Sequence, residues 1–348
     1  MPVTFHTLRA MLDHGYDAVI DVRSPAEFAT DHMPGAINLP ALSNIERAEV
    51  GTIYKQVSAF KARKLGAALL ARNVAAHIDG PLAQFDGSWR PLIYCWRGGQ
   101  RSGSFTIILQ QIGWRADTVE GGYMTWRRLV KQALYDTAIP HPVVLLDGNT
   151  GTAKTAILAR LASRGVQVID LEGLAGHRGS LLGATATGQP DQKAFETALA
   201  VALANLDPSK PVIVEAESSK IGQINLPPQL WAAMQTAPRI MITAPIAARS
   251  AFLESAYADI ISNPENLAKQ LKLLISIRGH AVVNGWLSLL EAGEFRALAA
   301  ALMEQHYDAA YDKSRGSDAR EIVASLDTPT LDDAGQETLA DAIIRALK

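Results

Sequence analysis

The chain has 348 residues, 48% of them hydrophobic and 20% charged, with a formal net charge of −2 at pH 7. That length suggests two domains, each able to bury its own core, and the near-neutral balance excludes a surface built all over for polyanions. The one cysteine excludes an intrachain disulfide and any cysteine-based structural zinc site. The opening stretch, MPVTFHTLRAMLDHG, has no apolar core behind a basic segment. No apolar run reaches the roughly 18 residues of a membrane-spanning helix, so the expectation is a cytoplasmic protein with no membrane partner.

Taken in order, YDAVIDV (16–22) reads as a short buried strand, turn formers surround Pro34-Gly35, and Ala36 to Leu39 form a second strand. Residues 55–76 carry helical periodicity. PLIYC (91–95) is a strand, WRGGQRSGS a glycine-rich turn, and FTIILQQIGW a helix ending near Gly113. A further short strand and helix follow. TAIPHP (137–142), with two prolines, marks a boundary between domains 1–137 and 138–348. The second domain opens with the strand VVLLD, a loop and a helix to Gly165. VQVIDLEG, PVIVEAES and APRIMITAP give further strands, and the final hundred residues read as mainly helical. Strands alternating with helices make both domains α/β with parallel sheets.

Two places carry chemistry. Cys95 stands at the C-terminal end of a strand, followed by Trp96-Arg97-Gly98-Gly99-Gln100-Arg101-Ser102. Glycines let successive N–H groups converge, the following helix adds its positive end, and Arg97 and Arg101 add charge. All three favour an anionic sulfur, or a persulfide or selenide carried on it. Arg101 reads as a loop-closing group and Arg97 as the one nearer a substrate. The second place is Gly148-Asn149-Thr150-Gly151-Thr152-Ala153-Lys154-Thr155, between a buried strand and a helix, the context of a phosphate-binding P-loop. Lys154 would reach the outer phosphate and Thr155 would meet Mg²⁺. Ala153 replaces the last glycine of G-x-x-x-x-G-K-T, which is tolerated if the backbone there is helical and leaves open whether ATP or GTP binds. Asp170, Glu215 and Glu217 are candidate acidic, Mg²⁺-positioning groups, and His177-Arg178-Gly179-Ser180 is a polar cluster suited to phosphate or a solvated turn.

DVRSPAEF (21–28) and DHMPGAIN (31–38) resemble the opening of rhodanese-like sulfurtransferase domains, and Glu120-Gly121-Gly122-Tyr123 resembles their closing turn. The resemblance makes Cys95 the sulfur-carrying residue and gives Asp21 and Arg23 an architectural role; His32 reads as structural. Together with GTIYKQ (51–56), YCWRGGQRSGSF, LDGNTGTAKT, HRGS, GQPDQKAFE (188–196) and VEAESSKIG (214–222), these strings resemble the tRNA 2-selenouridine synthase family. The match is strong from 16 to about 222 and thinner after, in PRIMITAPIAAR (238–249) and HYDAAY (306–311).

The resemblance implies a rhodanese-like domain followed by a P-loop NTPase-like α/β domain with a helical C-terminal part. It implies a transferase that replaces the sulfur of wobble 2-thiouridine in tRNAs for lysine, glutamate and glutamine with selenium from selenophosphate. The route passes through an S-geranyl species made from geranyl diphosphate, and a selenophosphate supplier is an implied partner. Gly148, Asn149, Thr150, Gly151, Thr152, Lys154, Thr155 and Arg178 would then hold diphosphate. C-terminal helices would wall a geranyl pocket, with Trp286 in a core role. Lys61, Arg63, Lys64, Arg127, Arg128 and Lys131 are candidate RNA contacts, each group also readable as a solvated helix face. The competing readings are a sulfurtransferase fused to an ATPase, a P-loop kinase with a regulatory cysteine module, and an interaction protein.

Overall fold

The computed structural model describes residues 2–180, 182–183, 185, 188–308 and 320–347; residues 309–311 of the HYDAAY run lie outside them. The chain divides into two compact units, Met1–Thr137 with Pro190–Ala204, and Ala138–Gln189 with Asn205–Lys348. The two families of buried β-branched runs nucleate one parallel sheet in each.

The first unit contains β1 Pro2–Val3, α1 Leu8–Leu12, β2 Ala18–Asp21, α2 Pro25–Thr30, β3 Ile37–Asn38, α3 Asn44–Gln56, α4 Ala59–Asp79, β4 Pro91–Tyr94, α5 Gln100–Ile112, β5 Asp117–Val119 and α6 Tyr123–Lys131. A π-helical turn, Gln132–Asp136, extends α6. The sheet order is β1-β5-β4-β2-β3, every pair parallel, with Ala18–Asp21 registered on Pro91–Tyr94. The cysteine strand β4 is therefore central, and all four of its residues are buried. Ile20, Val22, Ile93, Phe105, Leu109 and Trp114 form the core around it. The helix expected over 55–76 is instead two helices. Ser58 breaks the run because its hydroxyl caps α4, accepting from the Lys61 N–H at 3.3 Å.

The sequence reading put residues 190–204 in the second domain, but helix α9 Gln192–Ala204 packs with the first unit. Its buried polar face explains this. Trp126 Nε1 donates to Thr197 Oγ1 at 3.2 Å, Tyr135 donates to Glu196 at 2.7 Å, and Arg127 pairs with Glu196.

The second unit holds β6 Val143–Gly148, α7 Lys154–Ser163, β7 Val168–Ile169, α8 Leu171–Ala175, β8 Val212–Glu215, the antiparallel pair β9 Lys220–Ile221 and β10 Ile224–Asn225, α10 Pro228–Thr236 and β11 Arg239–Thr243. A helical region follows: α11 Ile246–Ala256, α12 Ala258–Ile261, α13 Pro264–Lys272, α14 Ile275–Arg278, α15 His280–Glu291 and α16 Phe295–Leu302, with a π turn at Met303–Tyr307. The final elements are β12 Ile322–Asp327 and α17 Asp333–Ala346. The sheet order is β12-β11-β6-β8-β7, all parallel, which puts β6 at its centre. Strand β12 was not expected. It is an edge strand whose Ile322 and Val323 stay about half exposed, so it lacks the buried apolar run of its neighbours. Trp286 is 1% exposed among Leu267, Leu271, Leu290, Leu298 and Leu302, the core of the helical region. No helix among the described residues is long and apolar enough to cross a membrane.

One glycine ties the first fold to its cysteine. Gly122 has φ +57°, and a Cβ there would collide with the Cys95 carbonyl oxygen. The bare backbone lets the Tyr123 N–H reach that oxygen at 2.8 Å and the Met124 N–H reach Trp96 O at 3.1 Å. Gly122→Ala is expected to cost about 2 kcal/mol or more through the positive φ and the clash. Urea unfolding of the variant against wild type measures it, and an unchanged midpoint would remove Gly122 from this role.

Candidate functional site

The first site is the turn from β4 into α5. Cys95 is 4% exposed, and the Ser102 hydroxyl donates to its Sγ at 3.3 Å. Gly99, at φ +79°, starts the helix from a left-handed conformation that glycine adopts freely. Arg101 grips Glu27 with two hydrogen bonds, 2.7 and 3.3 Å. Burial opposes ionisation of Glu27, but the bonds and charge of Arg101, the Ser24 N–H and Arg47 overcome it and hold the carboxyl at about 2. Arg101 thus fastens the loop's end to α2. Arg97 is exposed and makes no ion pair among the described residues, so its charge is available.

Behind the loop, buried Arg23 pairs with Asp21 at 2.6 Å and donates to Asp31 O. Its guanidinium lies 3.9 Å from the Tyr123 ring centroid, 5.6 Å from that of Tyr94 and 6.0 Å from that of Trp96. This stack fixes both neighbours of Cys95. His32 stacks on Phe28 with ring centroids 3.8 Å apart.

The second site follows β6. The loop turns at Gly148, where a Cβ would meet Thr152 Oγ1 at 2.6 Å and Ile242 O at 2.9 Å. Thr152 donates to Asn149 O at 2.8 Å, and Lys154 Nζ donates to Gly148 O at 3.0 Å. Ala153 would be tolerated if the backbone there were helical. It is instead left-handed, φ 60° and ψ 24°, and alone in this among non-glycine described residues. Its methyl is buried in the core with Ile157 and Leu158, which offsets the strain of that conformation.

Residues Thr150 to Thr155 line a cavity of about 600 Å³, closed by Glu172, His177, Arg178, Ser180, Glu217, Phe252, Tyr257 and Tyr307 among others. Gly148 and Asn149 shape the loop from outside the lining. Arg178 spans the exposed Asp259 with bonds of 3.1 and 3.0 Å and lies 4.7 Å from the centroid of the Tyr257 ring. Arg249, a residue sequence reasoning did not single out, donates to Thr150 O at 3.2 Å while paired with Asp308. It braces the loop.

Under the loop lies a carboxyl cluster. Thr155 donates to Glu215 Oε1 at 2.7 Å and stands 3.2 Å from Glu172 Oε2, and the Glu172 N–H reaches Glu215 Oε2 at 3.1 Å. Glu217 lies past the end of β8 rather than on the strand with Glu215, and it still reaches the cavity. Asp170 caps α8 by accepting from the Gly173 N–H at 2.6 Å. Glu172, two residues further on, lines the cavity instead. Burial first, then the charge of Glu217, pushes Glu172 up to about 8. Burial, then the charges of Glu172 and Asp170, push Glu215 to about 8 as well. Crowded carboxyls out of water hold protons rather than ionise together.

Of the basic candidates, Arg127 is committed to Glu196 and, at 3.6 Å, to Asp31. Lys61, Arg63, Lys64 and Arg128 are exposed and make no ion pair among the described residues.

A buried cysteine after the central strand of one parallel sheet and a P-loop cavity on another define a two-unit α/β protein. Residues 4–129 match the rhodanese-like domain, and residues 141–272 match the tRNA 2-selenouridine synthase AAA domain. A tRNA 2-selenouridine synthase of Pseudomonas syringae pv. syringae is 38% identical over 231 residues, 64% of this chain and 61% of that protein. One of Aeromonas salmonicida is 36% identical over 260 residues, 74% of this chain and 68% of that protein. The chain belongs to the tRNA 2-selenouridine synthase family. Its matches span 61 to 68% of the length of these curated relatives. Among solved structures, thiosulfate sulfurtransferase from Pseudomonas aeruginosa aligns at 13% identity and TM-score 0.21, over 69% of this chain and 42% of that one.

Two outcomes are expected. Removing the hydrogen bond from the Ser102 hydroxyl to Cys95 Sγ, by Ser102→Ala, is expected to cost about 1 kcal/mol of stability, read as a lower urea midpoint. An unchanged midpoint would mean the hydroxyl does not act on the sulfur. Glu172 and Glu215 bind protons more tightly folded than unfolded, so the stability they contribute is full at pH 4 and is lost as pH rises toward about 8. Melting temperature against pH should fall across that window and fall less in Glu215→Gln; parallel curves would sink the assignment.

Proposed function

We propose that this chain replaces the sulfur of 2-thiouridine at the wobble position of tRNAs for lysine, glutamate and glutamine with selenium. Selenophosphate is the selenium donor, and the route passes through S-geranyl-2-thiouridine made from geranyl diphosphate. One observation carries this reading. The polar cavity adjoins an apolar cleft lined by Leu182, Leu253, Ile260, Ile261, Leu267, Phe295, Leu298, Leu302 and Met303, and the two share Thr150, Ser180, Leu253, Tyr257 and Tyr307. Such a pair suits a ligand with a phosphate head and a hydrocarbon tail. A nucleotide would bring ribose hydroxyls to a wall with few partners for them. The cleft is narrow, about 70 Å³, so a ten-carbon chain would enter by parting the helices that wall it.

In the first step the thiouridine sulfur attacks C1 of geranyl diphosphate. The C1–O bond breaks, its electron pair leaves on diphosphate, and the N3 proton of the base passes to solvent. Lys154, Arg178 and the N–H groups of Thr150 to Thr155 neutralise the charge that develops. The hydroxyl of Thr155 and the carboxylates of Glu172 and Glu217 are hard oxygen donors that suit Mg²⁺ together with phosphate oxygens, with Glu215 orienting Thr155. A bound Mg²⁺ would spread the diphosphate's charge. In the second step the selenium of selenophosphate attacks C2 of the alkylated base, the C2–S bond breaks and the geranyl thiolate leaves, and water then cleaves the Se–P bond to give selenouridine and phosphate. Alkylation matters because thiocarbonyl sulfur is a poor leaving group and a thiolate is a better one. Cys95 serves selenium delivery or this displacement, held by Ser102 and the loop that Arg101 closes. Arg97 offers the free cation beside it.

The test is mass spectrometry of nucleosides after incubating protein with thiolated tRNA, geranyl diphosphate and then selenophosphate. Lys154→Ala should lose S-geranyl product by at least about a hundredfold, on the scale of a removed charge-stabilising group. Cys95→Ala should retain S-geranyl product and lose selenouridine. Wild-type protein yielding neither product would overturn the assignment in favour of a sulfurtransferase joined to an ATPase.

A further inference from the structure

From Val50 to Ile78 the chain carries five Lys or Arg and no Asp or Glu, within a protein of net charge −2. This run is the second half of α3 and nearly all of α4. The helices lie antiparallel: Gly66 faces Val50, and Asn73 donates to Glu46 at 2.9 Å. The Val57-Ser58 joint is therefore the tip of a helical hairpin. Its root is fixed beside the sulfur site, where Asn44 accepts from the Ala26 N–H and Arg47 lies 4.0 Å from Glu27. Helix α3 has 13 residues, so the tip stands about 20 Å from that root.

The tip is not a plain solvated surface. Phe60 is 72% exposed, Val57 63% and Tyr54 58%, and Lys55, Lys61, Arg63 and Lys64 surround them. None of those four cations forms an ion pair among the described residues. Large exposed rings are costly to leave in water and commonly mark a contact surface. A collar of uncompensated cations disfavours an apolar protein face and favours a polyanion. Aromatic rings between such cations suit unpaired nucleobases, whose π faces stack while their phosphates meet the charges. A duplex offers the phosphates without free base faces. The GTIYKQ string at 51–56 leads into this tip, and neither catalytic site uses it.

We propose that the α3–α4 tip is an RNA-docking surface, on which unpaired bases of the substrate stack against Tyr54 and Phe60 while Lys55, Lys61, Arg63 and Lys64 meet its phosphates. The proposal rests on the reading that the substrate is a tRNA and adds to it the surface and the mode of contact.

The experiment is fluorescence anisotropy with the full chain, a labelled RNA stem-loop and a blunt RNA duplex of equal length, over a range of salt. Wild type should prefer the stem-loop. Tyr54→Ala and Phe60→Ala should each weaken stem-loop binding about tenfold, leave duplex binding unchanged and keep the wild-type melting temperature. Lys61→Ala with Lys64→Ala should weaken binding to both RNAs and flatten the slope of log affinity against log salt by about 1.4. Wild-type stem-loop affinity in the double variant Tyr54→Ala/Phe60→Ala would overturn the proposal while leaving the tRNA reading intact. Wild-type protein that binds neither RNA would overturn the tRNA reading and this surface with it. Self-association abolished by Phe60→Ala, with RNA binding unchanged, would assign the face to a protein contact instead.

Discussion

A parallel strand that turns straight into a helix brings its last residues up against N–H groups that have no partner inside the helix. Both units are built on this constraint. Strand β4 ends at Tyr94, Cys95 follows, and α5 begins at Gln100. Strand β6 ends at Gly148, and α7 begins at Lys154. Each strand is central in its sheet, so burial on both faces holds the turn still while its tip stays open to a ligand. Both units place backbone N–H groups at the end of a central strand, a geometry that suits a negative charge.

Fixed ion pairs keep these turns in shape. Arg101 is spent on Glu27, Arg127 on Glu196 and Asp31, Arg249 on Asp308, and Arg23 on Asp21. Removing one partner of such a buried pair leaves the other charged and unpaired, so these residues act as braces first. Arg97 and the cations at the α3–α4 tip are differently placed: they are exposed and form no ion pair among the described residues. In the second unit the imbalance runs the other way, with Glu172, Glu215 and Glu217 gathered beneath Lys154. Burial and the mutual repulsion of these carboxyls raise the pKa of each, and positive charge brought to the cavity would favour their ionised forms.

The α/β class of both units, the cysteine turn and the P-loop could be read from the chain, because each is local. A buried strand is a contiguous apolar run, a tight turn needs glycine, and a phosphate loop needs its lysine next to its helix. Cys95 accordingly follows β4, and Lys154 and Thr155 open the helix after β6, where those local signals put them. Ser102 and Glu172 could not be read in this way, although each lies next to, or two residues from, a candidate residue; nothing in their spacing distinguishes a buried polar contact from a solvated one. Arg127 and Arg97 look alike in sequence, and only the acids brought to Arg127 from α2's end and from α9 separate them.

By itself the sequence determined where the central buried strands and the turns after them lie, since hydrophobic runs and glycines act over a few residues. Tertiary structure alone decided that 190–204 joins the first unit, that Ala153 is held left-handed by the core behind it, and that an apolar cleft adjoins the phosphate cavity. It also decided which arginines keep a free charge. These follow from contacts between residues tens to hundreds of positions apart, where burial and pairing depend on what the fold brings alongside.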